Sequence, residues 1–395
     1  MSGQRYDLIV VGLGAMGAAA LYQAAKRGAK ALGIDRFDPP HTLGSSHGDT
    51  RITRASIGEG EFYAPLVRRS DEIWRELEAA SGETLFHESG GLIIAPPSAD
   101  ATFHGEGDFV EASARVAERH GIAHEVIDAE EIKRRHPMLK PRAIDRAYFE
   151  PGAGVLRPER CVAAQLELAR QGGAAIHTGE RVTGYDVGAD GVKVATNRGR
   201  YRADKVILSA GAWMADLVPE AYRAAMRVCR QVIYWFDAEE LGAFDPTVFP
   251  WVIWIGDRLE EFWSTFPAPH DGPRGVKLVT EQYHTATHPD VVSREVTAEE
   301  CDDMFYRLTQ PRLKGLRDNL IRAEVCLYTV TPDEHFIIDF HPGSERVVIA
   351  SPCSGHGFKH SAAIGETLAQ LALDGESEFD ISAFRLARIA AAPSK

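Results

Sequence analysis

The sequence Gly12-Leu13-Gly14-Ala15-Met16-Gly17 lies between a short apolar run, residues 6–11 (YDLIVV), and a helix-forming stretch, residues 18–27. Each glycine has a mechanical use. Gly12 permits a tight turn, Gly14 lets the backbone approach a pyrophosphate, and Gly17 lets helix and strand pack closely. A pyrophosphate placed there meets the free N–H groups and the positive dipole end of the helix. A second apolar run, residues 29–34, ends at Asp35, whose carboxylate is placed to accept hydrogen bonds from a ribose 2′-OH. Gly28 stands where the glycine just past a helix belongs. Strand, glycine turn, helix, strand and acid within about thirty residues predict a βαβ unit that binds a dinucleotide. The motif does not choose between nicotinamide and flavin dinucleotides.

Further residues are able to do chemistry. Arg51 and Arg54 lie three apart after a polar turn. A guanidinium fork grips an anion at two points, although a solvated arginine pair fits the same spacing. His47 and Asp49, in the same loop, are candidates to orient the two arginines. Lys359 follows the turn SGHGF, residues 354–358, and precedes a helical stretch, residues 361–371. An ammonium suits one carboxylate oxygen; a surface lysine at a helix start is the plainer reading. The five cysteines, Cys161, Cys229, Cys301, Cys326 and Cys353, are an odd number with no CxxC pair and no Cys/His metal spacing. Neither a disulfide framework nor a metal site is expected from them, and a small buried apolar residue is the ordinary role for each.

These residues need a scaffold. A chain of 395 residues exceeds one simple core and points to two domains. Apolar and charged contents of 44% and 26% are ordinary for a soluble globular protein. No apolar run approaches the ~20 residues of a membrane span, and residues 8–11 are too short for a signal-peptide core, so a cytoplasmic protein is expected. The formal charge of −13, spread along the chain, excludes nucleic acid and anionic membranes as expected partners. The motif's position at the N-terminus leans toward FAD. Residues 205–209 form a strand ending in a small-residue turn at Gly211, similar to the strand that returns to the nucleotide domain in flavoproteins of glutathione-reductase type; any other sheet strand with a glycine turn would read alike.

The fold class is thus α/β, or α+β: a Rossmann-like nucleotide domain with an interleaved second domain on a mainly antiparallel sheet. The first comprises residues 1–90, 145–220 and 320–395, the second 91–144 and 221–319. Strands are expected at 92–95 and, rich in aromatics, at 232–236, 251–255 and 261–266. Charged helical sequence falls at 130–135 and 297–308, and a Pro/Gly-rich loop at 266–275.

Three stretches, GSSHGDTRITR (44–54), CLYTVTPDEHFIID (326–339) and SGHGFK (354–359), together resemble the monomeric sarcosine oxidase and N-methyltryptophan oxidase family of FAD-dependent amine oxidases. With the N-terminal motif, the similarity extends over essentially the whole chain. The resemblance implies a domain of glutathione-reductase type holding FAD, with a thioether from Cys326 to the flavin 8α-methyl group. It implies cofactor contacts from Gly12, Gly14, Gly17, Asp35 and Arg36, then from Ser45, Arg51 and Gly211, and finally from Gly355, His356, Gly357 and Lys359. Arg54 and Lys359 match the pair that binds the substrate carboxylate. Lys277 matches a lysine placed over the flavin to activate oxygen, Arg51 an arginine close to the flavin, and Tyr328 is retained beside Cys326.

The implied reaction is oxidation of the C–N bond of a small secondary amino acid to an imine that hydrolyses, with O2 reduced to H2O2, by a monomer. N-methyl amino acids are the first candidates and cyclic ones of pipecolate or proline type the next. A dehydrogenase using another acceptor is the alternative. The chain also departs from the family pattern. Glu281 stands where the pattern has an active-site histidine, with His284 slightly further on. Ser264-Thr265-Phe266-Pro267 replaces a stretch with a tyrosine, and His360 replaces an aromatic. Glu281 is either solvated or, facing the pocket, attracts a second cationic group on the substrate.

Overall fold

The structure, a computed structural model, describes residues 5–97, 107–283 and 285–390; His284 lies outside the described residues. The first strand, β1 (Arg5–Val11), has Leu8, Ile9 and Val10 fully buried in succession, because both faces of a parallel sheet are covered. It pairs in parallel with β2 (Ala31–Ile34) on one side and with Arg200–Leu208 on the other. Ala175–His177 adds in parallel beyond β2, and Ser344–Ser351 beyond Arg200–Leu208. Between β1 and β2 runs α1 (Ala15–Lys26), whose sequence AMGAAALYQAAK is rich in alanine and glycine, above all at residues 17–20. That lets it pack closely against Ser361–Leu373: a Cβ added to Gly365 would lie 2.3 Å from Ala19 Cβ. The strand 205–209 expected from sequence is the buried end of Arg200–Leu208, and the helix 361–371 is Ser361–Leu373.

Among the described residues a second sheet has nine strands, all antiparallel to their neighbours except Gly91–Ala95 against Trp251–Trp254. Its aromatic strands bury Trp235, Trp251, Trp254 and Trp263 almost completely. The three aromatic runs read from sequence are the strands Arg227–Ala238, Trp251–Trp254 and Trp263–Thr265. Arg146–Glu150 and Leu316–Val330 also belong to this sheet, so the segments 145–220 and 320–395 both open on its strands. The long strand Leu316–Val330 lies along Arg227–Ala238, with Arg322 opposite Trp235 and Cys326 opposite Gln231. On the other side of Arg227–Ala238, Lys277 of Val276–Thr280 is also opposite Trp235. The strand Arg227–Ala238 thereby brings the two strands that bear the cysteine and the lysine to either side of it.

A small antiparallel sheet of Arg51–Thr53, Gly154–Leu156 and Phe86–Glu88 fixes the arginine loop between the two larger sheets. Among the described residues no helix is long and apolar enough to cross a membrane.

Candidate active site

An open cavity with about 1440 Å³ of space, counted to its solvent mouth, is lined by Gly12, Gly14, Asp35, Arg36 and Trp213. Gly12 has φ +86°, and a Cβ there would lie 2.6 Å from the Ser209 carbonyl oxygen. A Cβ at Gly17 would sit 1.7 Å from the Gly12 carbonyl oxygen. Gly17 does not reach the cavity wall; it is the contact that lets α1 approach β1. Gly17→Ala must push the two apart. We expect a cost of about 1–3 kcal/mol of stability and less retained flavin, read from melting curves and flavin absorbance per protein. Unchanged values of both would show that the contact tolerates a methyl group.

Gly14 carries no side chain to cap α1; the Ala15 N–H donates to Ser46 Oγ at 3.1 Å, and the start of the helix, with its positive dipole end, faces the cavity where an anion would sit. The Asp35 carboxylate accepts hydrogen bonds from the Leu13 and Phe37 N–H groups, both at 2.7 Å, and so also braces the glycine turn. Burial raises its pKa, and these two N–H groups only partly offset that. Arg36 lies over the rings of Phe37 and Trp213, at 5.2 and 5.5 Å, and pairs with Asp290 at 2.7 Å. Gly211, φ +54°, opens the short turn Gly211–Asp216 that brings Trp213 to the wall. A glycine cradle at a helix start, with an acid and an aromatic ring beyond it, fits a dinucleotide.

A second cavity, about 630 Å³ of space to its mouth, shares Arg51, Tyr328, Gly355 and Phe358 with the first. Arg54 and Lys359 are in its wall, 2% and 5% exposed, so both cations are withdrawn from bulk water. Neither is idle. Arg54 Nη1 donates to the Ser56 carbonyl at 2.7 Å, and Nη2 to both oxygens of Glu59 at 2.7 and 2.9 Å. Lys359 Nζ donates to the His356 carbonyl at 2.9 Å and lies 3.8 Å from Glu59 Oε1. Glu59, which sequence reasoning did not single out, thus stands between the two cations. Its only signal was an acid five residues after Arg54 in a glycine-bounded loop. Burial pushes the Lys359 pKa down to about 7, against the attraction of Glu59 and with the repulsion of Arg54. The loop is held by Glu150, whose oxygens accept the Ala55 and Ser56 N–H groups at 2.6 and 3.1 Å.

At the junction, Arg51 Nη2 donates to the Ser45 carbonyl at 2.9 Å and lies 3.6 Å from Cys326 Sγ. Burial alone raises the pKa of the Cys326 thiol, but His47, Arg51 and Lys277 outweigh it and bring it to about 7. His47 moves the other way, to about 9: burial opposes its charge, while Cys326 and Glu324 favour it. His47 Nδ1 is 3.2 Å from Glu324 Oε2. The expectation that His47 and Asp49 orient the two arginines is therefore wrong. His47 serves the thiol, and Asp49 pairs with Arg322 at 2.5 Å. Both partners arrive on the strand Leu316–Val330, far away in sequence.

Lys277 is 3% exposed and lines neither cavity. Its Nζ donates to the Thr50 carbonyl at 2.5 Å and lies 4.0 Å over the Phe266 ring, beside Arg51. Burial first, and Arg51 second, push its pKa well down, against Asp49 and Glu159. Gly355, φ +82°, is where the walls come closest: a Cβ would lie 2.6 Å from the Tyr283 hydroxyl and 3.0 Å from Glu281 Oε1. Gly357 is a turn residue whose Cβ would strike the Pro352 carbonyl at 1.9 Å. His356 lines the second cavity, its ring stacked on Phe336 at 4.7 Å. Of the implied cofactor contacts, His356 and Lys359 thus line the second cavity and not the first, because the turn 354–358 separates the two, and Cys326 is buried beside Arg51 and lines neither. His360 is buried with its pKa held well down by burial. Glu281 is half-buried and lines the second cavity.

A dinucleotide cradle opening onto a buried, cation-bearing pocket has the form of a redox enzyme's site. The chain belongs to the FAD-dependent oxidoreductase family, whose family model matches residues 7–371. Within it, the chain belongs with the monomeric sarcosine oxidases and N-methyltryptophan oxidases. It is 40% identical over 386 residues to a monomeric sarcosine oxidase of Bacillus sp. (strain B-0618), covering 97% of this chain and 96% of that one. It is 35% identical to an N-methyl-L-tryptophan oxidase of Yersinia pestis (strain Pestoides F), covering 97% and 99%. The structure of NikD, described as an unusual amino acid oxidase essential for nikkomycin biosynthesis, shares the fold with a TM-score of 0.82 at 24% identity, covering 97% of each chain. So does L-proline dehydrogenase from P. horikoshii, with a TM-score of 0.79 at 20% identity and 98% of each chain.

Proposed function

We propose that this enzyme oxidises the C–N bond of a small N-methyl amino acid and releases hydrogen peroxide. The observation that carries this reading is the junction. The cradle cavity meets a pocket holding two buried cations, Arg54 and Lys359, so an amino acid gripped by its carboxylate there has its amine end toward the shared wall of Arg51, Tyr328 and Gly355. FAD, held by the cradle from Gly12 to Trp213, supplies the hydride acceptor and the route to dioxygen. The protein's part is to bind, orient and exclude water. The incoming carboxylate competes with Glu59 for the two cations, and Tyr328 and Phe358 close the junction. The relatives named for sarcosine and N-methyl-L-tryptophan support the same substrate class. Peroxide release measured across a panel of N-methyl and cyclic amino acids tests it; oxidation of none of them, or turnover only with an artificial acceptor, refutes it.

We propose also that FAD is attached through Cys326. A thiol lowered to about 7 and backed by His47 and Glu324 has the thiolate character that attachment requires. The protein pellet after acid precipitation should stay yellow, and Cys326→Ala should release all flavin to the supernatant. Acid-stable flavin in that variant would move the linkage elsewhere. The two larger sheets mark the two proposed domains, with Arg146–Glu150 and Leu316–Val330 assigned to the substrate side. The enzyme works as a monomer, which its mass in solution checks.

A further inference from the structure

Glu281 is a carboxylate in the wall of the second cavity; it favours the charge of Lys359, but nothing in a simple N-methyl amino acid needs a second acid there. It comes from a different element than the carboxylate clamp. Glu281 follows the strand Val276–Thr280, whereas Arg54 and Glu59 lie on the loop after Arg51–Thr53. Its Oε1 accepts a hydrogen bond from the Tyr283 hydroxyl at 2.5 Å, which fixes the carboxylate beside Gly355. Burial first, and Glu281 second, raise the pKa of Tyr283 well above its usual value, so the tyrosine stays a donor. Space is available next to it. Ser264, a small residue in the same wall, lies opposite Val279 across the sheet, two positions from Glu281. Apolar Ile253, Phe266 and Val279 complete this part of the pocket and fit a methylene chain.

The chemistry separates two ways of using this acid. An amine that loses a hydride must present a neutral nitrogen, and a carboxylate held against it would keep it protonated. A cation elsewhere on the substrate has no such requirement and keeps its charge throughout. In a pocket partly closed to water, a single opposite charge at contact distance gives large discrimination against a neutral isostere. We infer that Glu281 selects substrates whose side chain carries a second, cationic group: an N-methyl amino acid with a basic side chain. This rests on the function proposed above and names its substrate class.

The test compares Nα-methyl-L-lysine with Nα-methyl-L-norleucine, its neutral counterpart of the same chain length, and with sarcosine, by peroxide release from the flavin-loaded enzyme. The lysine derivative should exceed the norleucine derivative at least tenfold in kcat/KM. Glu281→Gln should bring that ratio close to one, and Glu281→Asp should retain part of it. The ratio is internal to each protein, so a general loss of activity does not mimic the effect, and a wild-type ratio near one overturns the inference even should a variant fail to fold; Glu281→Asp and Glu281→Gln separate this acid from Glu59 in the same cavity. Equal kcat/KM for the two in the wild type, or a ratio untouched by Glu281→Gln, overturns the inference while leaving N-methyl amino acid oxidation standing. Turnover of none of the three overturns both.

Discussion

Replacing Lys359 with methionine should lower kcat/KM for an N-methyl amino acid by about 10- to 100-fold, the loss expected when one charge-assisted hydrogen bond of about 1.5–3 kcal/mol is removed. Most of the change should fall on KM, because a carboxylate remote from the breaking bond is gripped alike before and during reaction. Methionine preserves the volume of this 5%-exposed side chain, so packing is largely spared. The same residue sets a pH dependence. Only the ammonium binds the carboxylate, and burial has brought its pKa down to about 7. The grip is therefore complete below pH 7 and weakens as pH rises through it, so KM should rise on the alkaline side. A bound carboxylate favours the charged form, which moves the corresponding transition to higher pH once substrate is bound. Arg54, the other cation of the clamp, sustains residual binding. A KM unchanged in Lys359→Met, together with a flat profile between pH 6 and 9 in the wild type, would remove Lys359 from the clamp.

Lys277→Met should slow the reaction of substrate-reduced enzyme with dioxygen by about 100- to 1000-fold, the range found when one preorganised electrostatic group is lost. Electron transfer to oxygen creates a negative charge, and a cation in a dry site stabilises it far more than water-exposed charge would. Lys277 is buried behind Thr50 and Phe266 next to Arg51, close to the junction of the cavities. The first half of the reaction, reduction by substrate, should change far less, and stopped-flow measurement of the two halves separates them. Such a role requires the protonated lysine. With its pKa held well below that of an ordinary lysine, the oxygen step should decline with rising pH earlier than a solvent-exposed lysine allows. Equal slowing of both halves would point to a structural role.

How much of this was legible beforehand differs by residue. The glycine turn and Asp35 were readable because their partners are local: Gly17 meets Gly12, and Asp35 meets Leu13, all within the βαβ unit. The aromatic strands were readable because burial imposes composition. Cys326, Arg54, Lys277 and Lys359 were named through matching motifs, which carry identity without geometry. Their surroundings were not legible. Glu59 between the two cations, His47 against Cys326, and Arg322 on Asp49 depend on contacts across loops and strands that periodicity does not encode. His47 was assigned to the wrong partner for this reason.

By itself the sequence determined a dinucleotide cradle, a two-sheet architecture and membership of a flavin oxidoreductase family, since each follows from short-range pattern and motif. Only the tertiary structure decided which charges face one another. The pairing of Leu316–Val330 with Arg227–Ala238 places Cys326 and Glu324 beneath a loop some 280 residues earlier, with His47 and Glu324 277 positions apart. Charges become chemically meaningful at distances of a few ångströms, and it is the fold that sets those distances.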